Sequence, residues 1–240
     1  MTEIVLYLML IGHMLGDFYF QSDKIARGKN TNKSDLIIHI ILYGTGLLIA
    51  LIPVLSLDVF ILCIINILLH GVIDFLKNRF NSKSNYVFII DQAAHVLCIT
   101  GSIVVFRYLN KFFAFANFLS DLNCEIEILK LVQWITVLLF IFKPCRIAIK
   151  VILKKYEPQN KSIKDGKNNA GALIGELERL FIIIMLDTNS YSAIGLVLTA
   201  KSIARYKKIT DSEQFAEYYL LGTLMSSLMA IIIYNLIFIM

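Results

Sequence analysis

The sequence predicts an all-α fold, a polytopic transmembrane helical bundle. Three observations carry that prediction. Hydrophobic residues make up 58% of the 240 positions and charged residues 17%, with a mean hydropathy of +0.71, far more apolar than a water-soluble domain. Several apolar runs approach the roughly 20 residues needed to cross a hydrocarbon core of about 30 Å. Lys and Arg concentrate in every second connection between those runs.

Hydropathy places about eight spans, at roughly 2–20, 35–53, 57–76, 86–106, 129–149, 171–187, 190–206 and 217–239. The first lacks a basic leading region and a small-residue cleavage site, so it reads as a span and not as a cleaved signal peptide. The sixth and seventh are short and joined only by "DTNSY"; they fit a re-entrant hairpin as well as two crossings. Four Lys/Arg lie in "KIARGKNTNK", three in "KNRFNSK", eight in "KPCRIAIKVILKKYEPQNKSIKDGK" and four in "KSIARYKK", whereas "PVLSLD" and "DTNSY" have none. This alternation predicts a multi-pass protein of the cell's inner (cytoplasmic) membrane with both termini outside the cytoplasm.

Three segments follow: a four-span His/Asp domain at 1–107, an outer loop with the fifth span and a basic cytoplasmic loop at 108–170, and C-terminal helices at 171–240. The stretch 108–129 reads as an amphipathic helix along the outer interface. The basic 143–167 stretch faces anionic headgroups, so membrane lipids are the expected partners and nucleic acid is not. The cysteines, Cys63, Cys98, Cys124 and Cys145, have no C-x-x-C spacing and read as small buried hydrophobes.

The informative residues are the ionisable ones inside the spans. The first carries "HMLGD" (His13, Asp17), the second His39, the third "HGVID" (His70, Asp74) and the fourth "DQAAH" (Asp91, His95), which includes every histidine in the chain. Three spans therefore present His and Asp at i, i+4, on one helix face. Given the predicted orientation, all seven groups fall in one layer about 5–15 Å from the cytoplasmic boundary. The spacing from His13 to His39 is 26 residues and from His70 to His95 is 25, which suggests two parallel helix-pair repeats. A carboxylate in hydrocarbon costs a few kcal/mol or more unless a partner neutralises it. A divalent cation is the strongest such partner, and imidazole with carboxylate suits Zn, Mn or Fe better than Ca or Mg. Seven groups exceed one tetrahedral site and suffice for one or two ions. Interhelical hydrogen bonding is the alternative use of the same pairs.

The second half carries another polar cluster. "GALIGELER" holds Gly171, Gly175, Glu176, Glu178 and Arg179, and "LTAKSIARYKK" holds Lys201 and Arg205 at i, i+4. Glu–Lys pairing would neutralise these charges, and snorkelling would expose them; an anion clamp for a phosphate or carboxylate is the functional alternative. Tyr218, Tyr219 and Trp134 read as interface-belt aromatics.

"HMLGDFYFQSD", the lone His39, "HGVIDFLK" and "DQAAHVL" together resemble the bacterial integral-membrane proteins grouped as domain-of-unknown-function family 3307 (DUF3307). The segments "GALIGELERLFI", "AIGLVLTAKSIARYKKI" and "AEYYLLGTLMSS" are similar to a C-terminal extension found in part of that family. In residue types the His/Asp pattern is loosely similar to predicted membrane-bound metal-dependent hydrolases. The expected function is a metal-dependent intramembrane hydrolase acting on an amphiphilic, lipid-like substrate near the cytoplasmic leaflet. Asp17 or Asp91 is the candidate general base, and Lys201, Arg205, Arg179 and Glu176 are the candidate substrate-binding residues. Two alternatives use the same layer. One is a divalent-cation or proton transporter, against which stands the lack of ionisable residues in the outer halves of the first four spans beyond Glu3 and Asp58 at their outer ends. The other is a non-catalytic membrane interaction module in which His–Asp pairs set helix register.

Overall fold

A computed structural model describes residues 2–80, 85–109, 125–157 and 170–238, and every regular element among them is helical. The chain divides into two compact units, Met1–Leu139 and Phe140–Met240.

In the first unit, α1 (Thr2–Met14) runs directly into a π-helical turn, Leu15–Phe20. A short α2 (Asp23–Gly28) follows, started by the Ser22 side chain, which accepts from the Ile25 amide. Next come α3 (Lys33–Leu51), capped by Asn32, then α4 (Leu57–Phe80), α5 (Asn85–Leu109) and α6 (Glu125–Ile141). α1 packs on α3, α3 on α4, α4 on α5, and α5 back on α1, which closes a ring of four helices.

The α1–α3 seam is made by glycines one turn apart. A Cβ at Gly12 would lie 2.7 Å from Leu47 Cα, and one at Gly16 would lie 2.6 Å from Tyr43 Cα. Across the seam, a Cβ at Gly46 would lie 2.9 Å from both the Gly12 carbonyl oxygen and the Gly16 amide nitrogen. Small residues spaced this way let helix backbones touch, which is how membrane helices associate without a hydrophobic driving force.

The polarity of this unit is inverted relative to a soluble protein. Leu57, Leu97 and Ile41 are 75%, 69% and 61% exposed, while His39 and Asp74 are 0% and 1% exposed. Apolar side chains cover the outside and ionisable ones line the ring's interior, the arrangement a bilayer imposes.

Among the described residues, five helices are long and apolar enough to cross a membrane: Thr2–Phe20, Lys33–Val54, Leu57–Lys77, Tyr86–Tyr108 and Glu213–Phe238. The other three expected spans take different forms. The fifth is not one helix: it breaks at Phe142 (φ −81°, ψ −98°) between α6 and α7 (Lys143–Leu153). Pro144 sits just past the break, where its ring and missing N–H prevent a helix from running through. The sixth, α8 (Ala170–Asp187), carries Glu176, Glu178, Arg179 and Asp187, and the seventh, α9 (Tyr191–Ala204), has only 14 residues.

α7, α8 and α9 belong to the second unit, with α10 (Tyr206–Asp211) and α11 (Glu213–Phe238). There α11 packs on α8 and α7, and α9 packs on α8. Most of the expected amphipathic outer segment and the 158–167 part of the basic loop lie outside the described residues, as does Cys124; the other three cysteines are free thiols.

Candidate metal centre

All seven predicted His and Asp side chains are buried, none more than 5% exposed. His13 ends α1, and Asp17 sits in the π turn that follows it. Such turns are rare and frequently occur at functional sites. His39 lies in the second turn of α3, His70 and Asp74 in the second half of α4, and Asp91 and His95 in the first half of α5. The helical ring brings these positions to one place.

Four atoms from three of the ring helices converge. His39 Nε2 lies 3.0 Å from Asp17 Oδ1 and 3.1 Å from Asp74 Oδ2. It is also 3.0 Å from His70 Nε2, which is itself 3.5 Å from each of the same two carboxylate oxygens. Tetrahedral ligands about 2.0–2.1 Å from a zinc-like ion stand about 3.3 Å apart, so these separations match the edges of such a cage. The remaining groups flank it. His95 Nε2 is 4.0 Å from Asp74 Oδ1 and 3.7 Å from Asp91 Oδ1. His13 Nε2 is 3.9 Å from Asp17 Oδ2. Three overlapping triads, His13–Asp17–His70, His39–His70–Asp74 and Asp74–Asp91–His95, each bring ligating atoms within 4.8 Å of one another. These residues could hold a metal ion.

Several polar atoms of the cluster are buried without partners. Both ring nitrogens of His95 and the Nδ1 atoms of His13, His39 and His70 are buried without a hydrogen-bond partner among the described residues, as are Asp17 Oδ1 and Asp91 Oδ1. Buried polar atoms are normally paired; Asp17 Oδ1 faces the quartet, 3.0 Å from His39 Nε2, and His95 Nε2 and Asp91 Oδ1 face each other at 3.7 Å beside it, whereas the Nδ1 atoms lie on the far side of each ring from Nε2.

Four further residues shape the site. Tyr43 stacks on His70 with ring centroids 3.6 Å apart and planes 9° apart, and His95 stacks on the other face at 4.3 Å. Gln92 donates to Asp17 Oδ2 at 3.2 Å. Lys77 donates to Asp91 Oδ2 at 2.7 Å. Lys29 is folded inward at the end of α2, where the Thr31 and Asn32 amides both bond back to the Gly28 carbonyl. Its Nζ lies 2.9 Å from His39 Nε2, 3.0 Å from Asp74 Oδ2 and 3.7 Å from Asp17 Oδ1. Burial works against this ammonium, but Asp17 and Asp74 more than offset it and raise its pKa above the ordinary lysine value.

The sequence reading takes Lys29 only as a loop charge marking topology. Tyr43 was accessible to the rule that found the His–Asp pairs, since it stands at i+4 from His39.

Residues 5–124 match the family model described as "Protein of unknown function (DUF3307)". The chain belongs to this family. The DUF3307 match takes in α1 to α5 and every His and Asp of the cluster. No curated protein and no solved structure matches the chain.

The second predicted cluster lies in the Phe140–Met240 unit. Lys201 bonds to Glu178 Oε2 and to Thr223 Oγ1 (3.1 Å). Arg146 pairs with Glu176 at 3.1 Å. Arg205 does not share a helix with Lys201, because α9 ends at Ala204 and Arg205 occupies the break before α10. Both cations nevertheless lie over the Tyr219 ring, at 5.4 and 5.7 Å.

Proposed function

We propose that the chain is a metal-dependent intramembrane hydrolase acting on an amphiphilic substrate near the cytoplasmic leaflet of the inner membrane, with both termini on the opposite side. The observation that carries this reading is the quartet of His39 Nε2, His70 Nε2, Asp17 Oδ1 and Asp74 Oδ2, in which the two nitrogens stand 3.0 Å apart and each lies 3.0–3.5 Å from both oxygens, spacings found among ligands around one ion. These four residues would hold a Zn-, Mn- or Fe-type ion, and His13, His95 and Asp91 offer donors for a second. A bound divalent ion supplies Lewis acidity and lowers the pKa of water toward neutrality.

The chain's own residues do the rest. Tyr43 and His95 clamp the plane of His70 between them. Gln92 orients Asp17 through the oxygen not turned toward the quartet. Asp91 stands outside the quartet, is held by Lys77, and is the carboxylate available to take a proton. Metal analysis tests the reading. The purified protein should carry a transition metal in near-stoichiometric amount, and His39→Ala or His70→Ala should lose most of it. Wild-type protein that neither retains nor takes up such a metal would rule the reading out.

Lys29 favours a second reading, a non-catalytic bundle in which its ammonium is the resident cation of Asp17 and Asp74. On that reading, chelator treatment leaves thermal stability unchanged.

A further inference from the structure

The second unit contains a cavity of about 370 Å³ whose wall carries five cationic side chains, Arg146, Lys150, Arg179, Lys201 and Arg205. Arg146 pairs with Glu176 and Lys201 with Glu178. Arg179 is different. It is 3% exposed, donates through Nε to the Ile141 carbonyl (2.5 Å) and through Nη1 to Ser226 Oγ (3.1 Å), and has no carboxylate within ion-pair distance among the described residues. Its Nη2 is buried without a hydrogen-bond partner among them. Gly175 lies beneath this group, and a Cβ there would stand 3.4 Å from Nη1.

A second donor points the same way. Tyr219 lines the cavity, and its hydroxyl is also buried without a hydrogen-bond partner among the described residues. A buried donor left unpaired costs about 1–3 kcal/mol. Two of them on one cationic wall call for an acceptor with several charged oxygens. A carboxylate offers two oxygens in one plane; a phosphate monoester offers three, with a charge of about −1.5 to −2, and an Arg fork suits it well. Thr223 and Ser226 add hydroxyls to the wall, and Ile149, Leu153, Ile174 and Phe215 give it an apolar part suited to a hydrocarbon tail attached to the anion.

We infer that this cavity is a binding site for a phosphate-monoester oxyanion, the headgroup of an anionic amphiphile, with Arg179 and Tyr219 as its buried donors. The site stands independently of the metal centre, and its test needs no metal. Binding to the detergent-solubilised full chain is measured by calorimetry in the presence of chelator, with short-chain phosphatidic acid and inorganic phosphate as the two probes. Saturable binding is expected, weakened roughly tenfold by Tyr219→Phe, which removes one hydroxyl and keeps the ring. Arg179→Lys, which keeps the charge and loses the fork, should weaken it similarly. Phosphatidic acid binding at least tenfold tighter than phosphate identifies the headgroup as the source of the anion; equal affinities identify the free ion. Absence of saturable binding of both probes to wild-type protein overturns the assignment, and so does wild-type affinity in a folded Tyr219→Phe protein.

Discussion

Substituting Gly16 by Ala tests whether the glycine seam positions the candidate metal centre. The added Cβ would stand 2.6 Å from Tyr43 Cα and 3.0 Å from Tyr43 Cδ2, whereas carbons in ordinary contact are about 3.5–4.0 Å apart. Tyr43 cannot retreat: it is 1% exposed and stacked 3.6 Å from His70. The π turn must therefore move away from α3 by about 1 Å. Asp17 is the next residue, and the same movement takes its Oδ1 from 3.0 Å to about 4 Å from His39 Nε2, past the ligand spacing of about 3.3 Å. Overpacking of this kind costs about 1–3 kcal/mol, and loosening one ligand should weaken metal binding roughly tenfold or more. Thermal unfolding in detergent and metal titration read the two effects separately. Gly101→Ala is the matched control, because a Cβ there meets nothing within 4 Å, and in a helix it should be neutral or slightly stabilising. A Gly16→Ala protein with wild-type melting temperature and metal affinity would refute the argument.

Two other substitutions separate the roles of neighbouring polar residues. Lys29→Met removes the ammonium beside Asp17 and Asp74; the expected result is a metal-free protein destabilised by about 3–5 kcal/mol but roughly tenfold tighter divalent-ion binding by titration, and weaker metal binding would count against a shared cation position. Asn66→Leu removes the bond from Asn66 Nδ2 to Ser102 Oγ, 2.9 Å long, that ties α4 to α5; thermal unfolding should show a loss of about 0.6–2 kcal/mol, with metal content unchanged.

The His and Asp residues were legible in the sequence because hydropathy marks the spans and the i, i+4 rule marks a face. Neither signal depends on tertiary structure. Lys29 was not legible, since a lysine in a short loop looks the same whether it meets water or folds back through the Gly28 turn. The π turn was hidden as well: "LGDFYF" has the hydropathy of a continuing helix, and only packing against Tyr43 and Gly46 distinguishes the two. Pro144 was a visible signal for the break at Phe142, overridden in a hydropathy window that averages over it. Arg205 shows the limit of spacing rules. It stands four residues after Lys201, yet the helix ends between them, and what unites the pair is the Tyr219 ring beneath both.

The charge balance of the first unit explains why the quartet asks for more than Lys29. Asp17, Asp74 and Asp91 face the ammonium groups of Lys29 and Lys77, leaving one negative charge in surplus among these groups while the imidazoles are neutral. Protonating His39 would cancel it, but would set an imidazolium 2.9 Å from the Lys29 ammonium, and its single Nε2 proton could serve only one of the two carboxylates beside it. Keeping His39 neutral with its Nε2 lone pair toward Lys29 leaves that nitrogen no proton for Asp17 or Asp74. With His39 neutral, the Lys29 ammonium reaches His39 Nε2 and Asp74 Oδ2 but stands 3.7 Å from Asp17 Oδ1, so it does not give every facing group a close partner. A divalent ion in place of the Lys29 ammonium does: every facing lone pair then has the same partner, and three negative charges meet three positive ones. Frustration of this kind is costly in a low-dielectric interior, and it disappears when the cation carries two charges and needs no donor geometry of its own.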